Sequence, residues 1–126
     1  MKKILVLTAV AFAAMSSAAL AGDPAAGEKV FKKCMACHAV GEGAKNKVGP
    51  ALNGVVGSVI GKHPEDYQFS KALQEMGAAG KVWDEAALTE WLKSPKAFAP
   101  GTKMAFAGLK KDEEIADVIA YLETFK

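Results

Sequence analysis

The sequence predicts an all-α domain with an unusually large share of ordered loop. Apolar residues recur at helical spacing in four separate segments, and no run alternates apolar and polar residues as a half-buried strand would. Between Ala39 and Lys62 stand Gly41, Gly43, Gly49, Gly54, Gly57 and Gly61 with Pro50 and little periodicity, which reads as loop. Loops of that length cost conformational entropy and add little core, so something other than side chains is expected to fill the middle.

The chain opens with Lys2 and Lys3, an apolar run from Ile4 to Ala14 and small residues at Ala19-Leu20-Ala21. This is the pattern of a secretory signal peptide, residues 1–21, cleaved after Ala21. The apolar run is too short for a stable membrane anchor. Residues 22–126 then form one domain. Asp23-Pro24 supplies an N-cap and a proline at the first helical position, and Val30, Phe31, Cys34, Cys37 and His38 follow at helical spacing. The first helix is therefore expected to run into the cysteine pair. A short helix is predicted from Ser70, as cap, to Met76, stopped by Gly77. Asp84 caps a segment with Leu88, Trp91 and Leu92 inward, ended by Ser94-Pro95. Asp112 is read as the cap of a last helix with an Ile115, Val118, Ile119, Leu122 stripe and Glu113 and Glu114 at its positive end. Four to five helices result, with no internal repeat.

Residues 22–126 hold 14 lysines, no arginine and 14 acids, so no global basic character suggests nucleic acid. The distribution is uneven. Residues 29–50 and 93–111 carry ten lysines against Glu42 alone, a net of +9 balanced by −9 elsewhere. A solvated surface is one reading. A positive face for an acidic partner is the other.

Residues Cys34 to His38 read C-M-A-C-H and contain both cysteines of the chain. A disulfide between positions i and i+3 would close a very small loop and add little stability. A redox dithiol of this spacing belongs after a strand in a βαβ unit, and no strand is predicted here. Structural zinc would need a fourth ligand, with His63 the only other histidine, and adjacent Cys37 and His38 suit a tetrahedron poorly. Covalent haem attachment, for which C-x-x-C-H is the signature, fits best. Residues i and i+3 on one turn can form thioethers to two vinyl groups, while His38 offers an imidazole nitrogen to the iron. One haem c per chain would also supply the missing core.

Beyond C-M-A-C-H, the chain contains G-E-K-V-F, V-G-P-A-L-N-G-V-V-G, Trp83, S-P-K-A-F-A-P-G-T-K-M-A-F-A-G-L-K-K and D-V-I-A-Y-L in that order. With these blocks it closely resembles the class I c-type cytochromes, especially bacterial periplasmic relatives of mitochondrial cytochrome c. The resemblance implies the cytochrome c fold, with helices and loops wrapped around one covalently bound haem. It places the sixth iron ligand at Met104, in P-G-T-K-M. Met35 lies between the anchoring cysteines and Met76 on an amphipathic segment, whereas Pro100-Gly101 turns the chain just before Met104 and can aim its sulfur. Thioether opposite imidazole raises the reduction potential. The resemblance also implies that the Pro50 carbonyl holds the second ring nitrogen of His38, that the Trp83 indole donates to a haem propionate, and that Gly27 meets Tyr121 where first and last helices cross.

The chain departs from that pattern at Ser58, where many members have an arginine near the buried propionate. It departs again at Phe69, where a tyrosine usually donates to that group, and at Trp91, where a tyrosine often stands by the methionine. The segment between Phe69 and Trp83 is longer than in the mitochondrial form. With His38 and Met104 both bound, the iron would have no open position for substrate, which implies a carrier rather than an enzyme. The implied role is a one-electron shuttle, monomeric and periplasmic, between a membrane cytochrome bc-type reductase and a terminal oxidase or photosynthetic reaction centre. Lys32, Lys33, Lys47, Lys96 and Lys103 would face acidic docking sites on those complexes. The alternatives are a peroxidase-like or gas-binding haem protein in which Met104 dissociates, and a dedicated donor to a single reductase.

Overall fold

A computed structural model describes residues 22–126; segment 1–21, expected from the sequence to be a signal peptide, lies outside the described residues. The described residues form five helices: α1 Pro24–Phe31, α2 Lys71–Ala78, α3 Glu85–Lys93, α4 Pro95–Phe98 and α5 Asp112–Glu123. One isolated antiparallel bridge, Val59 to Val82, is the extent of β pairing among them. None of the described helices is long and apolar enough to cross a membrane.

Asp23 caps α1 as its sequence suggests, with Oδ1 accepting from Ala25 N–H at 2.9 Å. The helix does not continue through the cysteines. Successive i→i+3 bonds, from Lys32 to Lys29, Lys33 to Val30 and Cys34 to Phe31, wind its end more tightly, and residues 32–37 form turns. α1 crosses α5 at Gly27, where a Cβ would run into the Asp117 carbonyl and approach Tyr121 Cβ at 2.7 Å. Phe31 and Tyr121 pack beside the crossing with ring centroids 5.6 Å apart. From α5, Ile115, Val118, Ile119 and Leu122 enter the core, and Leu88, Trp91 and Leu92 meet them from α3.

Two further helix boundaries differ from the sequence reading. Gly77 lies inside α2, which runs to Ala78. There its missing side chain admits the Ile60 carbonyl, so it serves a close approach, and Gly80 at φ +79° turns the chain afterwards. Lys111 occupies the N-cap of α5 without a side-chain bond, and Asp112 is the first helical residue, pairing with Lys93 at 3.3 Å. Ser94 ends α3 and at once caps α4, its Oγ accepting from Ala97 N–H at 3.3 Å.

The long loop is ordered by its own polar side chains. Asn53 both accepts from Gly41 N–H and donates to Gly41 C=O, each at 2.8 Å, and Asn46 Oδ1 accepts from Ala51 N–H at 2.8 Å. Gly54 N–H donates to the Phe125 carbonyl at 2.7 Å, tying the loop to the end of the chain.

Candidate functional site

The turn after α1 brings the two cysteines together. Cys37 N–H and His38 N–H both reach back to the Cys34 carbonyl, at 3.1 and 2.9 Å, so the three side chains leave one tight turn. Both cysteines are free and partly buried. Burial pushes the Cys34 thiol above its ordinary value while the Lys33 charge beside it pulls the other way, a balance that holds Cys34 as thiol.

His38 Nδ1 lies 2.7 Å from the Pro50 carbonyl. A carbonyl only accepts, so Nδ1 carries the hydrogen and Nε2 is left with its lone pair, the form that ligates a metal. Burial lowers the His38 pKa and the bond to Pro50 opposes it in part, so protons compete weakly for Nε2 near neutrality. Gly49 gives the ring its room: a Cβ there would stand 2.8 Å from Nδ1 and 2.9 Å from Nε2.

Met104 is carried by the segment after α4. Thr102 N–H closes a turn onto the Ala99 carbonyl at 3.0 Å through Pro100 and Gly101, the latter at φ +87°. Thr102 Oγ1 then accepts from Met104 N–H at 3.3 Å.

These pieces meet at a cavity of about 300 Å³. Cys34, Cys37, His38 and Met104 all line it, with an apolar wall that includes Phe31, Leu52, Leu73, Leu88, Leu92 and Phe106. Met35 and Met76 are not part of the lining. Trp83 lines it too, stacked on Phe98 at 5.6 Å and tilted against Trp91 at 5.4 Å. Pro50 therefore touches both the cavity and the His38 ring. The donor set (two thiols on one turn, a metal-ready imidazole and a thioether around an apolar hollow) fits a covalently held haem.

Of the three departures, Phe69 and Trp91 line the cavity, while Ser58 does not and spends its hydroxyl on the Val55 carbonyl at 2.6 Å. The lysines also divide. Lys33 and Lys103 line the cavity, Lys47 Nζ donates to the Met35 carbonyl at 3.2 Å across the cysteine turn, and Lys96 borders an adjoining hollow with Met104. Lys32 is exposed on the turn between α1 and Cys34. Lys33 additionally pairs with Glu114 at 3.5 Å.

Sequence reading missed Tyr67, Ser70 and His63, which also line the cavity. Tyr67 donates to the Val48 carbonyl at 2.6 Å and meets Phe69 edge-on at 4.9 Å, strapping one side of the cavity. Its spacing from Phe69, two residues, was the signal available.

A family model described as Cytochrome c matches residues 24–126. The chain belongs to the cytochrome c family. Cytochrome c2 of Afifella marina is 55% identical over 101 residues, covering 80% of this chain and 81% of that one. Cytochrome c2 of Agrobacterium tumefaciens is 54% identical over 101 residues, covering 80% and 90% respectively. Among solved structures, cytochrome cH from Methylobacterium extorquens superposes with a TM-score of 0.74 at 48% identity, covering 82% of this chain and 99% of that one. Cytochrome c2 from Rhodospirillum centenum gives a TM-score of 0.77 at 42% identity, covering 82% and 98%. This cytochrome c is an electron carrier whose cofactor is covalently attached haem c, and Cys34 and Cys37 stand in the C-x-x-C-H pattern that attachment uses.

Proposed function

We propose that this cytochrome c is a monomeric, soluble periplasmic shuttle, exported with cleavage after Ala21, that moves single electrons between a membrane cytochrome bc-type reductase and a terminal oxidase or photosynthetic reaction centre. In this reading Cys34 and Cys37 would carry the two thioethers, and His38 Nε2 and Met104 Sδ would hold the iron. The observation that carries it is the common cavity that gathers all four side chains while Pro50 commits the other ring nitrogen of His38.

Haem held there supplies an iron that gains and loses one electron. The chain keeps its surroundings fixed during that exchange. Pro50 stops the imidazole from rotating, and the Thr102 turn does the same for the Met104 backbone, so little reorganises when charge changes. The apolar wall excludes water, and the thioether favours the reduced state. With His38 and Met104 both holding the iron, no coordination position would remain for a substrate, which favours electron transfer without substrate chemistry.

Lys33, Lys47, Lys96 and Lys103 stand around the cavity and its neighbouring hollow, with Lys32 beside them on the turn. That placement suits brief, salt-sensitive docking onto acidic surfaces of membrane redox complexes.

The test is a visible spectrum with a redox titration of the periplasmic protein. A far-red ferric band from methionine ligation at neutral pH is expected; a c-type spectrum without it would favour an open-site haem enzyme.

A further inference from the structure

Besides His38, His63 is the histidine of the cavity wall whose ring is half committed among the described residues. Its Nε2 lies 2.8 Å from the Asn53 carbonyl, and the ring sits against Gly54, where a Cβ would approach Nε2 at 3.2 Å. Since a carbonyl only accepts, Nε2 carries the hydrogen and Nδ1 keeps its lone pair, free of any partner among the described residues. Asn53 is itself clamped to Gly41 by two bonds of 2.8 Å, so the acceptor that fixes this tautomer is held in place.

Several polar groups of the wall are already engaged: Tyr67 spends its hydrogen on Val48, Lys103 donates to Gln68, and Lys33 pairs with Glu114. The Trp83 indole, which the resemblance assigns to one haem carboxylate, leaves the other carboxylate to be met. Ser58, where the resemblance implies a cation, lies off the wall with its hydroxyl on Val55. Haem c carries two carboxylates, and a carboxylate in a largely apolar cavity needs a donor.

We infer that His63 fills that place: its Nδ1 takes a proton from solvent and donates it to a haem carboxylate, so that the electron held by this cytochrome is coupled to a proton on His63. A neutral ring with Nε2 on Asn53 has no hydrogen to give at Nδ1, so the contact exists only in the imidazolium. Adding an electron to the cavity removes one unit of positive charge and favours the imidazolium. By linkage, protonation of the ring in turn favours reduction. His63 is exposed, which gives the proton a route to water.

The charged groups around it do not preempt this. Lys62, Glu65 and Asp66 flank it on its own loop, and Asp66 accepts from Asn46 at 3.0 Å. On α2, packed over Gly61, Lys71 and Glu75 pair with each other at 3.9 Å. The Gly54 turn meets Phe125, next to the C-terminal Lys126. No ion pair to His63 forms among the described residues.

The inference rests on haem occupying the cavity, and the two can fail separately. In the haem-loaded protein, the His63 ring is titrated by NMR in both oxidation states, and the reduction potential is followed against pH. We expect the ring to hold its proton to higher pH in the reduced form, and the potential to fall with rising pH through that interval. His63→Gln, which can still donate to Asn53 but cannot become cationic, should flatten that part of the curve and leave the visible spectrum unchanged. A ring that titrates identically in both oxidation states overturns the inference, as does an unchanged pH dependence in His63→Gln. The NMR titration uses the unaltered protein, so it decides the matter even where the variant loads poorly. A wild-type protein without any c-type spectrum would instead reject the haem reading itself.

Discussion

The His38 ring and Gly49 fit each other without a spare atom: a Cβ on Gly49 would stand 2.8 Å from Nδ1, the nitrogen that donates to Pro50 at 2.7 Å. Gly49→Ala should therefore push the imidazole off Pro50. Overpacking of this kind costs about 1–3 kcal/mol. The expected readout is a weakened or missing low-spin spectrum with poor haem incorporation. Pro50→Ala makes the contrast, because the accepting oxygen is backbone and survives the change; its spectrum should stay close to wild type. Equal spectra for all three proteins would mean that the fit around His38 does not matter.

Among the described residues, Met104 is the only methionine on the cavity wall. Met104→Ala should lower the reduction potential substantially and let added imidazole or azide bind the iron, as followed by titration and visible spectra. Thr102→Val removes the acceptor of the Met104 N–H bond at 3.3 Å and should cost about 0.5–1.5 kcal/mol, with the far-red band lost at milder denaturant. An unaltered potential in Met104→Ala would point to another sixth ligand.

Much of this site was legible because its chemistry is local. C-M-A-C-H puts three functional groups on one turn, and Pro100-Gly101 announces the bend before Met104. What escaped was decided by contacts distant in sequence. Gly77 looked like a helix stop, yet it is spent on the Ile60 carbonyl, seventeen positions away, and no local pattern records that. His63 drew attention only as a spare zinc ligand, because its place on the cavity wall depends on a bond to Asn53 ten residues back. The α1 boundary failed for a different reason: apolar spacing cannot distinguish an α-helix from the tighter i→i+3 turns that follow Phe31.

The lysine arrangement makes a kinetic expectation. Changing Lys96 and Lys103 to Glu replaces two positive charges by two negative ones beside Met104. Association with an acidic redox partner should slow on the order of tenfold or more at low ionic strength, and the difference should shrink as salt rises. Lys103 also donates to the Gln68 carbonyl at 3.3 Å, so Lys103→Gln is the control that keeps a donor without the charge. Stopped-flow rates that match wild type at every salt concentration would sink the docking face.

Where α1 crosses α5, Gly27 faces the Asp117 carbonyl with no room for a methyl group. Gly27→Ala gains helix propensity of about 1 kcal/mol, but the helices must separate to admit it. Because the clash is with backbone on one side and Tyr121 Cβ on the other, neither neighbour can rotate away. Net destabilisation of about 1–3 kcal/mol is expected, read as a lower urea midpoint with an unchanged spectrum.

Removing the haem should do more than any single substitution. Phe31, Trp83, Leu92, Val118 and Leu122 belong to the buried core and also line the cavity, so the core is a shell around a hollow of about 300 Å³. At about 24 cal/mol per Å³ of residual cavity, an empty hollow of that size costs roughly 7 kcal/mol. Domains of this size are stable by only about 5–15 kcal/mol in total. The haem-free polypeptide should consequently lack a cooperative thermal transition and show collapsed near-UV circular dichroism, with α1 and α5 the last elements to keep amide protection. Ionic effects do not rescue it, since the exposed pairs Lys33–Glu114 and Lys93–Asp112 contribute about 0–1 kcal/mol each. Blocking attachment with Cys34→Ser and Cys37→Ser during export gives the material to measure. A sharp, well-packed unfolding transition in that protein would show that side chains alone complete the core.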